Sequence, residues 1–170
     1  YTQNFIPQNG EIRTEAFPVG GSNAGFGWRL SLGEFWPNLD TEAGRFCAPC
    51  YVDPSGARHR FTGELHQGVG QAGRAFTTDG TFLRLKAVTG GWEIEFPSGE
   101  VHGFDAQGRL VVIRDQFFNW VSITHLASSW AILDSEGRSH SVQFATVPHY
   151  GMAVQYLNLS AFGSANTASY

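Results

Sequence analysis

Lysine is nearly absent from this chain. Lys86 is the only one, and charged residues make up 15 % of the 170 residues, against a typical ~25 %. The formal net charge is −4. Nothing in the sequence supplies the basic footprint that neutralises phosphates, which excludes nucleic acid as a partner. No run of about 18 apolar residues occurs, which excludes a membrane-spanning helix. There are two cysteines, Cys47 and Cys50, too few to staple a small secreted fold and silent about redox compartment. No stretch combines helical period with helix caps. The first residues lack the charged-then-apolar pattern of a secretion signal, and the chain begins with Tyr1. The expectation is a mature product or a piece cut from a longer chain.

What is present is a β composition. Hydrophobic residues reach 42 %, aromatics 14 %, and there are 21 glycines. That is too apolar for disorder, which needs low hydrophobicity and high net charge, and 170 residues suffice for one domain with a real core. The most regular stretch is 101–124, VHGFDAQGRLVVIRDQFFNWVSIT. It reads as strand, turn, strand, turn, strand, with Asp105 to Gly108 and Asp115 to Asn119 at the corners. Asp, Asn and Gly suit corners because they cap local backbone groups or tolerate φ > 0. Val, Ile, Trp and Thr suit the pleated surface between them.

The same punctuation extends along the chain. Residues 1–10 read as an irregular lead-in, 11–17 as an alternating strand, 18–25 as a glycine-rich loop and 26–32 as a strand with Trp28 in phase. Residues 33–50 read as a long connection with a brief strand near Arg45 and Phe46. Then come turns at 53–56, 78–80, 89–91, 97–99, 134–137 and 148–151, with a glycine-rich segment over 63–73 interrupting them. Between them lie strands over 57–62, 81–88, 92–96, 100–104, 129–133, 138–146 and 152–162, before a small, polar tail over 163–170. Trp92, Ile94 and Phe96 face one way, Glu93 and Glu95 the other. Short strands with turns every 8–12 residues predict an all-β fold of consecutive antiparallel hairpins in a twisted, extended sheet. The expected organisation is a lead-in strand and Gly-rich loop over 1–24, then a single β-hairpin repeat domain over 25–170.

These residues carry a resemblance. Gly25-Phe26-Gly27-Trp28-Arg29-Leu30-Ser31-Leu32 resembles the glycine-tryptophan segment that precedes the repeats of Rhs (YD-repeat) proteins. The segments beginning Asp53-Pro54-Ser55-Gly56 and Thr78-Asp79-Gly80 resemble their Asp-Gly-strand units. The run from Phe96-Pro97-Ser98-Gly99 through Phe104-Asp105-Ala106-Gln107-Gly108-Arg109-Leu110, continued by Asp115, Asn119 and the strand 120–124, is similar to the family's most distinctive phrase. The resemblance covers roughly 25–145. Phe118 stands where the family has glycine, His125 where it has tyrosine, and the tyrosine-aspartate dipeptide is absent. The chain therefore reads as a region upstream of, or divergent from, the full repeats. The resemblance implies a long sheet spiralling into a shell or scaffold of a secreted or cell-surface protein, enclosing a toxin segment or serving adhesion. It implies no catalytic residue here.

The residues admit other readings. Cys47 and Cys50, with His59 and His66, could begin a zinc site, but one Cys-x-x-Cys is short of the four ligands required. A local disulfide or two packed thiols is the simpler reading. The histidines, His59, His66, His102, His125, His140 and His149, are scattered singly, and no Gly-x-Ser-x-Gly occurs. Glu93 and Glu95, with Glu100 across a turn, could pair for glycoside chemistry, but a solvated strand face explains them. Gly20 to Gly25 lacks the Lys-Ser/Thr of a phosphate loop. Asn158-Leu159-Ser160 fits a glycosylation sequon. Trp28, Trp36, Trp92, Trp120 and Trp130 offer the alternative, a β-sandwich module that binds glycan or protein through surface aromatics. Trp36, in a loop, is its best candidate for exposure. The reading is thus a non-catalytic structural segment with no catalytic, cofactor or metal residues and no cofactor. Its partners are the rest of a parent chain, copies of itself or a protein at open sheet edges.

Overall fold

The computed structural model describes residues 3–8, 11–16, 30–40, 45, 47–62, 74–147, 151–160 and 167–169. Among them every regular element is a strand, and no helix is long and apolar enough to cross a membrane. The strands are β1 (Gln3–Gln8), β2 (Glu11–Ala16), β3 (Glu34–Trp36), β4 (Cys50–Val52), β5 (Arg58–Thr62), β6 (Arg74–Thr77), β7 (Arg84–Val88) and β8 (Gly91–Glu95). They continue as β9 (Val101–Asp105), β10 (Leu110–Arg114), β11 (Trp120–His125), β12 (Ser129–Asp134), β13 (Ser139–Val147), β14 (Gly151–Ser160) and β15 (Thr167–Ser169). β1 and β2 form their own two-stranded hairpin. The thirteen strands from β3 to β15 lie side by side in chain order, each antiparallel to the next, in one open sheet. The all-β meander expected from the turn spacing is the architecture observed.

One corner recurs because one short sequence builds it. In the turns 53–57, 105–109, 115–119 and 134–138 the leading aspartate N–H donates to the carbonyl four residues on, at 3.0–3.1 Å. Its own carbonyl accepts the N–H three residues on, at 2.9–3.2 Å. Its Oδ1 accepts the N–H four residues on, at 2.9 Å in all four. A carboxylate accepting backbone N–H groups is a strong, charge-assisted cap. The fourth position needs φ > 0, and Gly56, Gly108 and Gly137 supply it at 77–90°. Phe118 holds the same position at φ 68°, a conformation that costs a residue with a Cβ about 1–2 kcal/mol. Turn 96–100 has the same backbone bonds with Phe96 in place of the aspartate.

Asp134 is the most enclosed of these caps, and its Oδ2 also takes the Arg138 Nε–H at 2.5 Å. Asp134→Ala should therefore cost about 2 kcal/mol, the scale of a lost charged hydrogen-bond set, with Asp134→Asn recovering part of it. Urea unfolding followed by fluorescence measures both, and equal stability of all three proteins would contradict the cap.

Register places the apolar residues on one face. Ile94 pairs with Leu85 on one side and His102 on the other, and Trp92 pairs with Phe104. Leu110, Ile123 and Val142 continue the stripe. The opposite face carries Glu93 and Glu95, which pair with Lys86 and Arg84. The sheet then curls. Phe35 of β3, fully buried, sits 5.2 Å from the Trp92 ring, 6.0 Å from Phe104 and 6.2 Å from Phe61. Tyr51 of β4 reaches Phe96 and Phe104 at 5.8 and 6.0 Å. Thus β3 and β4 lie over β8 and β9, covering the apolar face that a flat meander would expose. The edge of β3 is closed by turn 105–109: Phe35 N donates to Gly108 O at 2.9 Å, and Glu34 bridges Arg109.

Several expectations require correction. Residues 3–8 are a strand, not part of an irregular lead-in. Pro7 is tolerated because a two-stranded ribbon leaves each strand a side that needs no N–H donor. The connection 33–50 contains β3 as well as the bridge between Asp40 and Arg45. The strand expected over 81–88 starts only at Arg84, because turn 78–83 is wide and holds Phe82 at φ 54°. The tail 163–170 contains β15, which pairs with β14. Leu30 to Leu32, the end of the strand expected over 26–32, are not in strand, and the rest of it, with Trp28, lies outside the described residues. So do loop 18–25 and segment 63–73.

Candidate functional site

Among the described residues the densest titratable cluster lies on one edge of the sheet, where turns 53–57, 78–83 and 96–100 adjoin. Tyr51 and His59 are cross-strand partners flanking the first turn, with rings 5.9 Å apart and stacked. His59 Nδ1 lies 2.8 Å from Asp79 Oδ2 and its Nε2 3.4 Å from Asp53 Oδ2, so one imidazole ties together the tips of two hairpins. On the other side of Tyr51, His102 is buried at the start of β9. Its Nε2 donates to Glu100 Oε1 at 2.6 Å, which leaves Nδ1 to accept the Tyr51 hydroxyl at 3.4 Å. Phe96 packs 4.5 Å from the His102 ring.

The electrostatics follow from burial and hydrogen bonds. Burial pushes the Tyr51 phenol well above its ordinary value, helped by the carboxylates of Asp53 and Glu100. Burial also holds His102 below its ordinary 6.5, against the opposing pull of Glu100. Asp79 is held well below the carboxylate range, chiefly by the Thr81 hydroxyl and also by His59, against a smaller effect of burial. At Asp53 burial opposes ionisation, but hydrogen bonds from Ser55, Ala57 and His59 outweigh it. An open groove of about 500 Å³ runs past these groups, with Pro54, Leu83, Phe96 and Pro97 as its apolar walls. Both ring nitrogens of each imidazole are already engaged within the chain. The arrangement pins three turns and the curl together, and it presents carboxylates and aromatic edges to the groove.

A pH dependence follows. An imidazole held below 6.5 in the folded chain binds its proton more readily when unfolded. Its stabilisation is complete above pH 6.5 and is lost as pH falls from there toward the lowered value. Urea midpoints should therefore drop as pH is lowered through 6.5, and His102→Gln should flatten that slope. An unchanged slope in the variant would assign it elsewhere.

The remaining sequence candidates separate. Cys50 shares a face with Arg60, not with His59, so Cys50 and His59 point to opposite faces, and His66 lies outside the described residues. Among the described residues no group of three or more His, Cys, Asp or Glu side chains is placed to hold a metal ion. Cys47 and Cys50 are free thiols. Burial, reinforced by Cys47, pushes Cys50 up to about 12, far from a reactive thiolate. Glu93 and Glu95 are ion-paired on the face opposite the groove, apart from Glu100. His125 donates to the Leu110 carbonyl at 2.7 Å, His140 accepts the Ser160 N–H at 3.0 Å, and His149 is outside the described residues. Trp36, expected at the surface, is buried with Cys50 and Val52 on the back of the sheet, beneath the Arg58 guanidinium. Trp92 and Trp130 pack against the main core, and Trp120 is half-buried. Among the described residues the exposed aromatics are instead Phe82, Phe117, Phe118 and Tyr156.

Sequence reasoning missed the pairing of the two histidines around Tyr51. Half of it was within reach, since Tyr51 and His59 each lie two residues outside turn 53–57 and Glu100 and His102 share a strand face by their spacing. The other half depends on the curl. No protein-family model, no curated protein and no solved structure matches this chain.

Proposed function

We propose that this chain is a non-catalytic structural segment of a β-sheet shell or scaffold of the Rhs (YD-repeat) kind. It would serve a secreted or surface-displayed parent protein in which the wall encloses a toxin segment or presents an adhesive surface. The observation that carries this reading is the asymmetry between the ends of the sheet. The β3 end is closed by the chain's own turn 105–109. At the other end, among the described residues, β15 pairs only with Asn158, Leu159 and Ser160 of β14. Among the described residues no strand pairs with the outer side of 151–157 of β14. β14, Gly-Met-Ala-Val-Gln-Tyr-Leu-Asn-Leu-Ser, carries no charge and no proline, the usual devices that keep an edge from pairing. Met152, Tyr156 and Leu159 on it are exposed. A wall that starts in a sealed curl and grows from its C-terminal side fits this arrangement. The recurring aspartate corner supports the same reading, since one turn reused hairpin after hairpin is how a sheet lengthens without new design.

Sedimentation velocity on the intact chain tests it. Association should rise with concentration. The double variant Met152→Lys, Tyr156→Lys should remain monomeric while melting at the same temperature. A wild-type chain that stays monomeric at every concentration, and that does not take up a synthetic β14 peptide, would overturn the reading.

A further inference from the structure

In a meander every second connection falls on the same edge, so turns 53–57, 78–83, 97–99, 115–119 and 134–138 project from one side of the sheet, with 78–83, 97–99 and 115–119 consecutive in the middle. The outermost large side chains of these middle three are Phe82, Phe117 and Phe118, exposed at 73 %, 74 % and 79 %. None of the three belongs to the buried core. Two of them also sit where a side chain is unwelcome: Phe82 has φ 54° and Phe118 φ 68°. At the position of Phe118 the other aspartate corners use glycine. An exposed phenylalanine in a left-handed conformation adds strain without packing, so the fold by itself does not account for it.

We propose that these tips form an uncharged aromatic rim that docks on the interface of a neutral lipid bilayer, with the phenylalanine rings inserted and the sheet standing on its edge. Glu100, beside the middle tip, is held by His102, Glu136 is exposed one tip further along, and the aspartates at the phenylalanine tips are turned back into their own corners. Asp79 is taken by Thr81 and His59, and Asp115 by the Phe117 and Asn119 N–H groups and the Asn119 side chain. The tip between the phenylalanines is Pro97-Ser98-Gly99, also uncharged. It abuts the next tip so closely that a Cβ on Gly99 would stand 3.0 Å from Gln116 Cβ. From turn 78–83 to turn 115–119 is four strand spacings, or roughly 19 Å at ~4.8 Å each. Separate convex tips over that span would demand matched pockets from a protein partner, whereas a bilayer accepts them at any spacing. Ionised Asp79 and Asp115 behind the rim disfavour an anionic surface, so the chemistry selects a zwitterionic one.

The test is flotation of the intact chain with phosphatidylcholine vesicles, alone and with phosphatidylglycerol added. The chain should float with phosphatidylcholine, and less so as phosphatidylglycerol is added. The triple variant Phe82→Ser, Phe117→Ser, Phe118→Ser should lose binding by about tenfold or more, as expected for removing large apolar contacts. Phe118→Gly should also weaken flotation while raising the melting temperature, because glycine relieves the positive φ. That pairing separates lost docking from lost folding. No flotation of the wild-type chain, or undiminished flotation of the triple variant, would overturn the proposal. So would a triple variant whose only change is weaker self-association, which would make the rim a contact between copies.

Discussion

Phe35→Ala is expected to destabilise the chain by about 3–5 kcal/mol, the range for a fully buried phenylalanine. In a chain of 170 residues that corresponds to a fall in melting temperature on the order of 10 °C. Phe35 is the only large aromatic among the described residues with no exposed surface. It is also the side chain through which the three-residue strand β3 holds its place over β8 and β9. Its ring meets those of Phe61, Trp92 and Phe104, so truncation removes contacts on three strands at once and leaves a cavity that a curled sheet can only partly close. Trp92 fluorescence should shift to the red in the native variant as solvent nears it. Phe117→Ala, at an exposed tip, is the control and should lie within about 0.5 kcal/mol of the parent. A Phe35→Ala protein that unfolds at the parent's urea midpoint would show that β3 does not secure the curl.

Gly108→Ala should have a comparable effect for a different reason. Gly108 and Gly137 occupy the same position of the same corner, with φ of 82° and 77°. An added Cβ at Gly137 meets nothing within 4 Å, whereas at Gly108 it would stand 1.8 Å from the Phe35 carbonyl oxygen. Gly137→Ala therefore carries only the left-handed penalty, about 1–2 kcal/mol. Gly108→Ala adds the displacement of a backbone, for a total of about 2–5 kcal/mol. The difference between the two variants isolates the seam where turn 105–109 closes the edge of β3. Hydrogen exchange gives the local readout. The Phe35 amide, which donates to Gly108 O, should lose protection in Gly108→Ala and keep it in Gly137→Ala. Equal losses in the two variants, with Phe35 still protected, would remove the seam from the account.

The strands β9 to β12 were legible because their corners are local. An aspartate with glycine three residues later closes a five-residue turn, and closing it sets which residues face each other on the flanking strands. Even the departure at Phe118 was visible as a residue standing where glycine is usual, and the structure shows why it matters: the position lies at positive φ. β3 was missed because three residues between Gly33 and Pro37 are too few to display alternation. Trp36 was misplaced for a related reason. Period-2 reasoning gives one buried face, but at β3 both faces are covered, Phe35 by β8 and β9 and Trp36 by Cys50 and Val52. The bulges between Leu110 and Val112 and between Gln143 and Phe144 were equally invisible, since an extra residue leaves no local signature in an apolar run.

Composition and turn chemistry alone determined that this chain is a meander of antiparallel strands with aspartate-glycine corners, because those choices are settled within a few residues of each other. Tertiary structure alone decided that the meander curls, that Phe35 becomes its centre, and that Tyr51 meets His102 across four intervening strands. Curling is driven by apolar faces far apart in the chain finding one another. The cost of closing such long loops and the gain from covering those faces are summed over the whole sheet, where no short stretch of sequence records them.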